Sequence, residues 1–480
     1  MTSFDSHFTM TIGGQSVDGA ATFGVLNPAT EEVLAQAPDC SAAQLDQAVA
    51  AARRAFPAWR ALTMAQRREY LMALPAAILK HSEPLAQLLS REQGKSLADA
   101  RTEIGACGQW LQAQSQLELP VVVNEDSAER RSETRRVPLG VVAALSPWNF
   151  PVLLAYWKVM PALLAGNTAL LKPSPFTPLT VLKIGELVRE ALPPGVFNVI
   201  TGGDALGPMV TAHPGIDKVS FTGSTETGKR VMESAAATLK RVTLELGGND
   251  AAIVLPDVDV KAVAPQIFWL SLINNGQTCI AIKRIYVHRD IYAEMANALA
   301  EIARTVKVGN GQAEGTQLGP VQNRKQFERV VGMLDEAKAQ GLQFLVGGEA
   351  REGKGYFIPP TFVDNPPDDA RIVREEVFGP VRSLLKYCDI DEAIARANDS
   401  PYGLGASVWS SDIAKAQAVA DRLEAGSVWI NEAAHLSPMV SFAGHKQSGI
   451  GIENGVDGML EYTAAQTRTV RKPPAAAAAT

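Results

Sequence analysis

Four segments carry residue types able to do covalent or acid–base chemistry. In Asn274-Asn275-Gly276-Gln277-Thr278-Cys279-Ile280-Ala281, a glycine three residues before the cysteine lets backbone approach a ligand, and small or polar neighbours leave the sulfur reachable. Taken alone, a single cysteine in an apolar setting is more often inert packing than a nucleophile. In Leu244-Glu245-Leu246-Gly247-Gly248-Asn249-Asp250, a strand-like run stops at a glycine pair and sets the Glu245 carboxylate at the carboxyl end of a strand. Ligands of open α/β sheets gather at that edge, although a surface glutamate on a helix is the plainer alternative. Ser146-Pro147-Trp148-Asn149-Phe150-Pro151 follows another strand-like run and opens a helix, so an Asn149 amide between two aromatic residues can donate into a dry pocket. Gly223-Ser224-Thr225-Glu226-Thr227-Gly228 lies at a strand-to-helix turn, where free N–H groups favour a phosphate, but it lacks the GxGxxG fingerprint.

The rest of the composition bounds what these residues can serve. The 480 residues are 46% hydrophobic and 20% charged, which excludes disorder, collagen and coiled coil. A net charge of −6 offers no attraction to nucleic acid or anionic lipid. The cysteines (Cys40, Cys107, Cys279, Cys388) form neither a disulfide framework nor a metal site, which fits a reducing compartment and a cytoplasmic protein. Residues 1–14 do not read as a signal peptide, and the longest apolar stretch, 151–166, is broken by Lys158 and Pro161, short of the ~20 residues of a membrane span.

The elements that must position the four segments follow from periodicity. Residues 41–118 repeat apolar positions at helical spacing (Leu71, Leu74, Ile78; Leu85, Leu88, Leu89). Residues 119–139 read as a long two-stranded ribbon, and its Arg130, Arg131, Arg135 and Arg136, interleaved with Glu129 and Glu133, as a solvated face. Short β-branched runs at 141–145, 167–172, 197–201 and 218–222 alternate with amphipathic stretches, which implies right-handed crossovers and a mainly parallel sheet. A second α/β segment spans 251–430, with strands at 251–255 and 284–287 and helices at 260–272 and 325–340. Residues 473–480 read as a frayed tail.

In order and spacing the segments resemble the NAD(P)-dependent aldehyde dehydrogenase superfamily over nearly the whole chain. The likeness extends to Lys172-Pro173-Ser174, Leu318-Gly319-Pro320, Gly355-Tyr356-Phe357, Glu375-Glu376-Val377-Phe378-Gly379-Pro380, Trp429-Ile430-Asn431 and Lys446-Gln447-Ser448-Gly449. Asn149 and Lys172 are 23 residues apart, Glu245 and Cys279 34, and Cys279 and Glu376 97, as in that family. The resemblance implies an α/β fold with a Rossmann-type cofactor domain (1–118 and 140–247, with 450–462 returning to it), a catalytic domain (248–449) and an oligomerisation ribbon (119–139 and 463–472). It implies Cys279 as nucleophile, Glu245 as general base and Asn149 with the Cys279 N–H as oxyanion hole. For NAD, with NADP possible, it points to Lys172, Ser174, Gly223, Ser224, Gly228, Glu376 and Phe378, with Trp148 in the wall, and it implies no metal. Phe150, Leu154, Trp157, Thr278, Ile280 and Phe442 would line the substrate tunnel, with His435 near its entrance.

The chemistry suits these roles. A thiolate adds to an aldehyde, fixed donors stabilise the alkoxide, and the thioester left after hydride transfer is hydrolysed by base-activated water. No histidine has a motif context that would activate Cys279. Three positions depart from the family pattern: Pro175 replaces a ribose-binding glutamate and so admits NADP, Val456 occupies a position where some relatives carry a proton-relay glutamate, and Ser441-Phe442-Ala443-Gly444 replaces Pro-Phe-Gly-Gly. The mostly apolar tunnel, without an arginine clamp, points to a medium-chain aliphatic or aromatic aldehyde over a semialdehyde acid. The ribbon points to a homodimer or homotetramer. The alternatives are a CoA-acylating enzyme, against which Glu245 argues; a cysteine hydrolase, which lacks a histidine partner; and a non-catalytic nucleotide-binding structural protein, against which the intact Cys279, Glu245 and Asn149 argue.

Overall fold

Near-continuous apolar runs build an eight-stranded sheet in the computed structural model, which describes Phe4 and residues 6–473; beyond Pro473, the expected tail lies outside the described residues. Val141–Leu145, Thr168–Lys172 and Lys218–Thr222 are buried at every position, as strands covered on both faces must be. The sheet runs Gln15–Val17, Met10–Ile12, Phe197–Val199, Thr168–Lys172, Val141–Leu145, Lys218–Thr222, Arg241–Glu245, Gly449–Ile450. Its five central strands are parallel and its edges antiparallel. The N-terminal strands, including the hairpin Ala21–Asn27 with Glu32–Asp39, go beyond the periodicity reading, which assigned no element before residue 41.

A second sheet of seven strands has Ala251–Val254 between Arg284–His288 and Gly405–Trp409, all parallel. Helix Val260–Leu272 falls where expected, and the long amphipathic helix is Arg324–Ala339. One hydrophobic core extends from Phe8 to Leu246 and takes in Met459 and Tyr462; two others, between Ala251 and Ala433, pack around the second sheet. No helix among the described residues is long and apolar enough to cross a membrane.

The ribbon consists of Val122–Asp126 and Arg130–Pro138, and a third strand, Thr463–Arg471, pairs along it from Thr463 opposite Pro138 to Arg471 opposite Arg130. Its arginines meet acids and amides: Arg131 reaches Asp126 at 2.6 Å and Arg135 donates to Gln466. Asn167 anchors the ribbon's base. Fully buried, it accepts the N–H groups of Leu139 (2.7 Å) and Gly140 (3.0 Å) and donates to the carbonyls of Ala162 and Tyr462. Because each buried group stranded by its removal costs about 1–3 kcal/mol, Asn167→Ala is expected to lose roughly 2–4 kcal/mol of stability, read as a lowered urea midpoint by tryptophan fluorescence. An unchanged midpoint would show that the four bonds are dispensable.

Candidate active site

Strand register sets the first half of the site. Leu145 pairs with Lys172 and Phe221, and Thr222 with Glu245, so the turns after three parallel strands and the Glu245 carboxylate emerge on one edge. The chain order reverses between Val141–Leu145 and Lys218–Thr222, where such sheets hold ligands. Asn149 lies on the turn before helix Leu153–Leu164, which begins later than the proline positions suggest. The reason is tertiary: buried Glu103, from helix Leu97–Gln114, accepts the N–H groups of Val152 (2.9 Å) and Leu153 (3.2 Å), in place of a local cap. Lys95 pairs with Glu103 at 2.6 Å, donates to the Asn149 carbonyl at 2.9 Å and lies 3.9 Å from the Phe150 ring centre.

The nucleophile segment supplies the other half. After helix Val260–Leu272, Asn274, Asn275 and Gly276 take positive φ values of 52°, 57° and 72°. Asparagine and glycine are the residues that tolerate this conformation. At Gly276 a Cβ would stand 2.2 Å from the Gly379 carbonyl, so no larger residue fits. The turn is bonded to Asn149 from both sides: Asn274 Nδ2 donates to the Asn149 carbonyl (2.9 Å), and Asn149 Nδ2 donates to the Gln277 carbonyl (3.0 Å), leaving its second N–H for a ligand. Thr278 faces this scaffold, its hydroxyl donating to the Ile273 carbonyl. Cys279 is partly exposed, whereas Cys40 and Cys107 are buried.

Burial pushes Glu245 up to about 8, against the opposing charge of Lys158 and contact with the Cys279 thiol; apart from that contact, neither oxygen accepts a hydrogen bond. Burial also raises the Cys279 thiol, with Glu245 adding to it and Lys283 opposing. Behind Glu245, fully buried Lys158 is paired with Glu453, which accepts from Ser220, itself bonded to the Tyr462 hydroxyl. Val456 itself is 40% exposed, and the buried carboxylate here is Glu453, three positions earlier.

The residues expected to hold a dinucleotide lie at and around the same edge. Ser224 caps helix Thr225–Ala236, its hydroxyl accepting from Thr227 N, and Gly223 precedes it; Gly228, one turn in, packs so closely on Leu246 that a Cβ would clash. The buried hydroxyls of Ser146 and Thr222 have no hydrogen-bond partner among the described residues. Lys172 is buried, which lowers it to about 8, and donates to the Pro173 carbonyl; Ser174 accepts from Phe176 N. Glu376 accepts from Gly248 N (3.2 Å), and the Phe378 ring meets Trp148 edge to face with centres 5.2 Å apart. No group of three or more His, Cys, Asp or Glu side chains among the described residues could hold a metal ion.

On the opposite side of Cys279, Leu154, Trp157, Ile280 and Phe442 form an apolar cluster with Phe150 packed against it. The cluster also includes Trp110, Leu404 and, at its margin, Trp429 and Leu436, which sequence reading missed because they come from four distant segments. His435 is exposed; its carbonyl accepts from the Trp429 indole. Lys158 and Lys283 were missed too, yet Lys158 carried a signal: a lone cation inside an apolar run must find a buried partner.

A thiol, a carboxylate with raised affinity for protons, an amide donor and the switch-point edge of a parallel sheet converge here. The chain belongs to the aldehyde dehydrogenase family, whose profile matches residues 16–468, and is an enzyme that oxidises aldehydes. It is 40% identical to phenylacetaldehyde dehydrogenase of Pseudomonas fluorescens, over 96% of this chain and 95% of that one. Its structure superposes on NAD-dependent aldehyde dehydrogenase from Sinorhizobium meliloti with a TM-score of 0.94 (37% identity, 98% and 96% of the two chains). The NAD+ complex of the Bacillus cereus enzyme gives 0.92 (38% identity, 98% and 97%).

The raised Glu245 is mainly the carboxylic acid at neutral pH and gains its base form as pH climbs through about 8. A step that needs the carboxylate is therefore expected to accelerate from pH 6 to 9. Lys158→Met, which removes the cation that favours the charged form, is expected to displace the pH–rate profile upward, and an unmoved profile would separate Lys158 from Glu245.

Proposed function

We propose that this protein oxidises medium-chain aliphatic or aromatic aldehydes to carboxylic acids with NAD as cofactor. The observation that carries the reading is Cys279 in contact with Glu245 and packed against an apolar cluster, on a turn that the Asn149 amide bonds at Gln277. Cys279 Sγ adds to the aldehyde carbon, and the second Asn149 N–H with the Cys279 backbone N–H receives the developing oxyanion. Ser224, Lys172, Glu376 and Phe378 would hold a nicotinamide dinucleotide, which would supply the hydride acceptor that turns the adduct into a thioester. Glu245 then takes a proton from the water that attacks the thioester, and the nearby Lys158 charge favours its carboxylate form.

The cofactor reading rests on the donors of the edge. Ser224 and the start of its helix suit a pyrophosphate, Lys172 with Ser174 an adenosine ribose, and Glu376 beside Phe378 a nicotinamide ribose and ring. Solved relatives described as NAD-dependent or holding NAD+ support NAD. Pro175 puts no carboxylate three residues after Lys172, so NADP is a second cofactor in this reading. The separate cores support assigning 1–118 and 140–247 to cofactor binding and 248–449 to catalysis. The exposed valines 121–123 on the ribbon's outer strand support association into a homodimer or homotetramer.

Cys279→Ala is expected to abolish turnover while cofactor binding, measured by fluorescence titration, survives. In Glu245→Gln the thioester forms and persists, giving a burst of NADH followed by a slow steady state. Normal turnover by the first variant, or loss of the burst in the second, would overturn the assigned roles.

The cluster is built of aromatic and aliphatic side chains, and each methylene it covers contributes ~0.8 kcal/mol. Phenylacetaldehyde and octanal are accordingly expected to exceed succinic semialdehyde in kcat/KM by about tenfold or more, roughly 1.4 kcal/mol in transition-state binding. A preference for succinic semialdehyde would require a charged clamp and contradict the apolar reading.

A further inference from the structure

We propose that Lys283 is the positioning residue of Cys279, holding the nucleophile turn by its carbonyls and supplying the fixed positive charge against which the thiolate forms. The inference rests on the reading of Cys279 as nucleophile and adds the source of its activation, for which no histidine qualifies.

Lys283 lies four residues after Cys279, at the entry to strand Arg284–His288, with its side chain 2% exposed. Its backbone N–H is fixed to the Asp250 carbonyl at 2.9 Å. The ammonium donates to the Thr278 carbonyl at 2.8 Å and to the carbonyl of Cys279 itself, and it stands 3.4 Å from Glu376 Oε1. Three partners match the three donors of an ammonium, so its position is fully determined. The carbonyls it holds bracket the Cα of the nucleophile.

The charges around the sulfur make this cation necessary. Glu245 faces Cys279 from the end of its strand, Glu376 from the segment after helix Arg371–Arg374, and Asp250 from the passage into the second sheet; all three oppose a thiolate, and Lys283 alone among these four groups favours one. Lys158 acts on Glu245 and Arg329 on Glu376, one shell further out. Burial penalises the thiolate, and the ammonium bonded to the Cys279 carbonyl acts against that penalty. On ionisation the S–H proton leaves to solvent and the Sγ charge is balanced by Lys283. Glu376 shares the same ammonium, so a ligand that draws on Glu376 alters the field at Cys279.

The test is the pH dependence of iodoacetamide alkylation in the intact protein, read by mass spectrometry at Cys279 with exposed Cys388 as internal reference. This readout needs no turnover, so it fails independently of the proposed function, whose own failure would appear as activity in Cys279→Ala. In the unmodified chain Cys279, whose thiol burial raises, is expected to react more slowly than exposed Cys388 at pH 7.5 and to gain on it as pH rises. Lys283→Gln, which keeps donors but loses the charge, and Lys283→Met are expected to slow Cys279 at least about tenfold and move its profile to higher pH, whereas Lys283→Arg stays within about threefold. An unmoved profile in Lys283→Gln, or an equal loss in Lys283→Arg, would reduce Lys283 to a structural strap. Should the charge-free variants not fold, Glu376→Gln, which frees the ammonium from its carboxylate, is expected to move the Cys279 profile to lower pH, and an unmoved profile overturns the proposal.

Discussion

The passage from Glu245 to Ala251 is the joint on which the rest of the structure depends. One parallel sheet ends at Glu245 and the other begins at Ala251, so only five residues separate the carboxylate from the domain that carries the cysteine. Close approach is enforced at both glycines of the joint: a Cβ at Gly247 would meet Glu376 Oε2 at 2.3 Å, and one at Gly248 the Cys279 carbonyl at 2.6 Å. A side chain at either place would push the cofactor-side carboxylate or the nucleophile turn away from the first sheet. The chemistry assigned to the site therefore depends on backbone packing before it depends on any functional group.

Around that joint the molecule buries charge in pairs. Lys95 with Glu103 and Lys158 with Glu453 are taken almost wholly out of water. Such pairs are weak contributors to stability, because desolvation offsets much of their attraction, but each fixes a backbone or a proton affinity that an apolar pair could not. Glu103 starts the helix that presents Leu154 and Trp157, and Lys95 holds the carbonyl of Asn149. Lys158 restrains the rise in proton affinity that burial imposes on Glu245. The same logic extends to Lys283, whose neighbours are two carbonyls and a carboxylate.

The three left-handed residues before Gln277 show how closely local and long-range requirements agree. Asn-Asn-Gly is a sequence suited to that turn wherever it occurs, yet the turn is held here by Arg382, which is fully buried and donates to the carbonyls of Ser271 and Gly379. Local propensity permits the conformation and distant contacts select it.

What the sequence determined by itself was the set of elements and the chemical inventory. Buried parallel strands are nearly all apolar, so 141–145 and 218–222 were legible to the residue, and the motif order around Asn149, Glu245, Cys279 and Glu376 was enough to indicate the family. The ribbon strand near residue 463 was placed with 119–139 by the family resemblance, but contacts that no motif carries were not legible. The N-terminal strands are short and paired at an edge, and the helix after Asn149 starts where Glu103 caps it. Glu453 as the partner of Lys158, and Lys283 behind Cys279, were likewise decided by tertiary structure alone, because a charge records its own type in the sequence but its partner, burial and field exist only once the chain has folded.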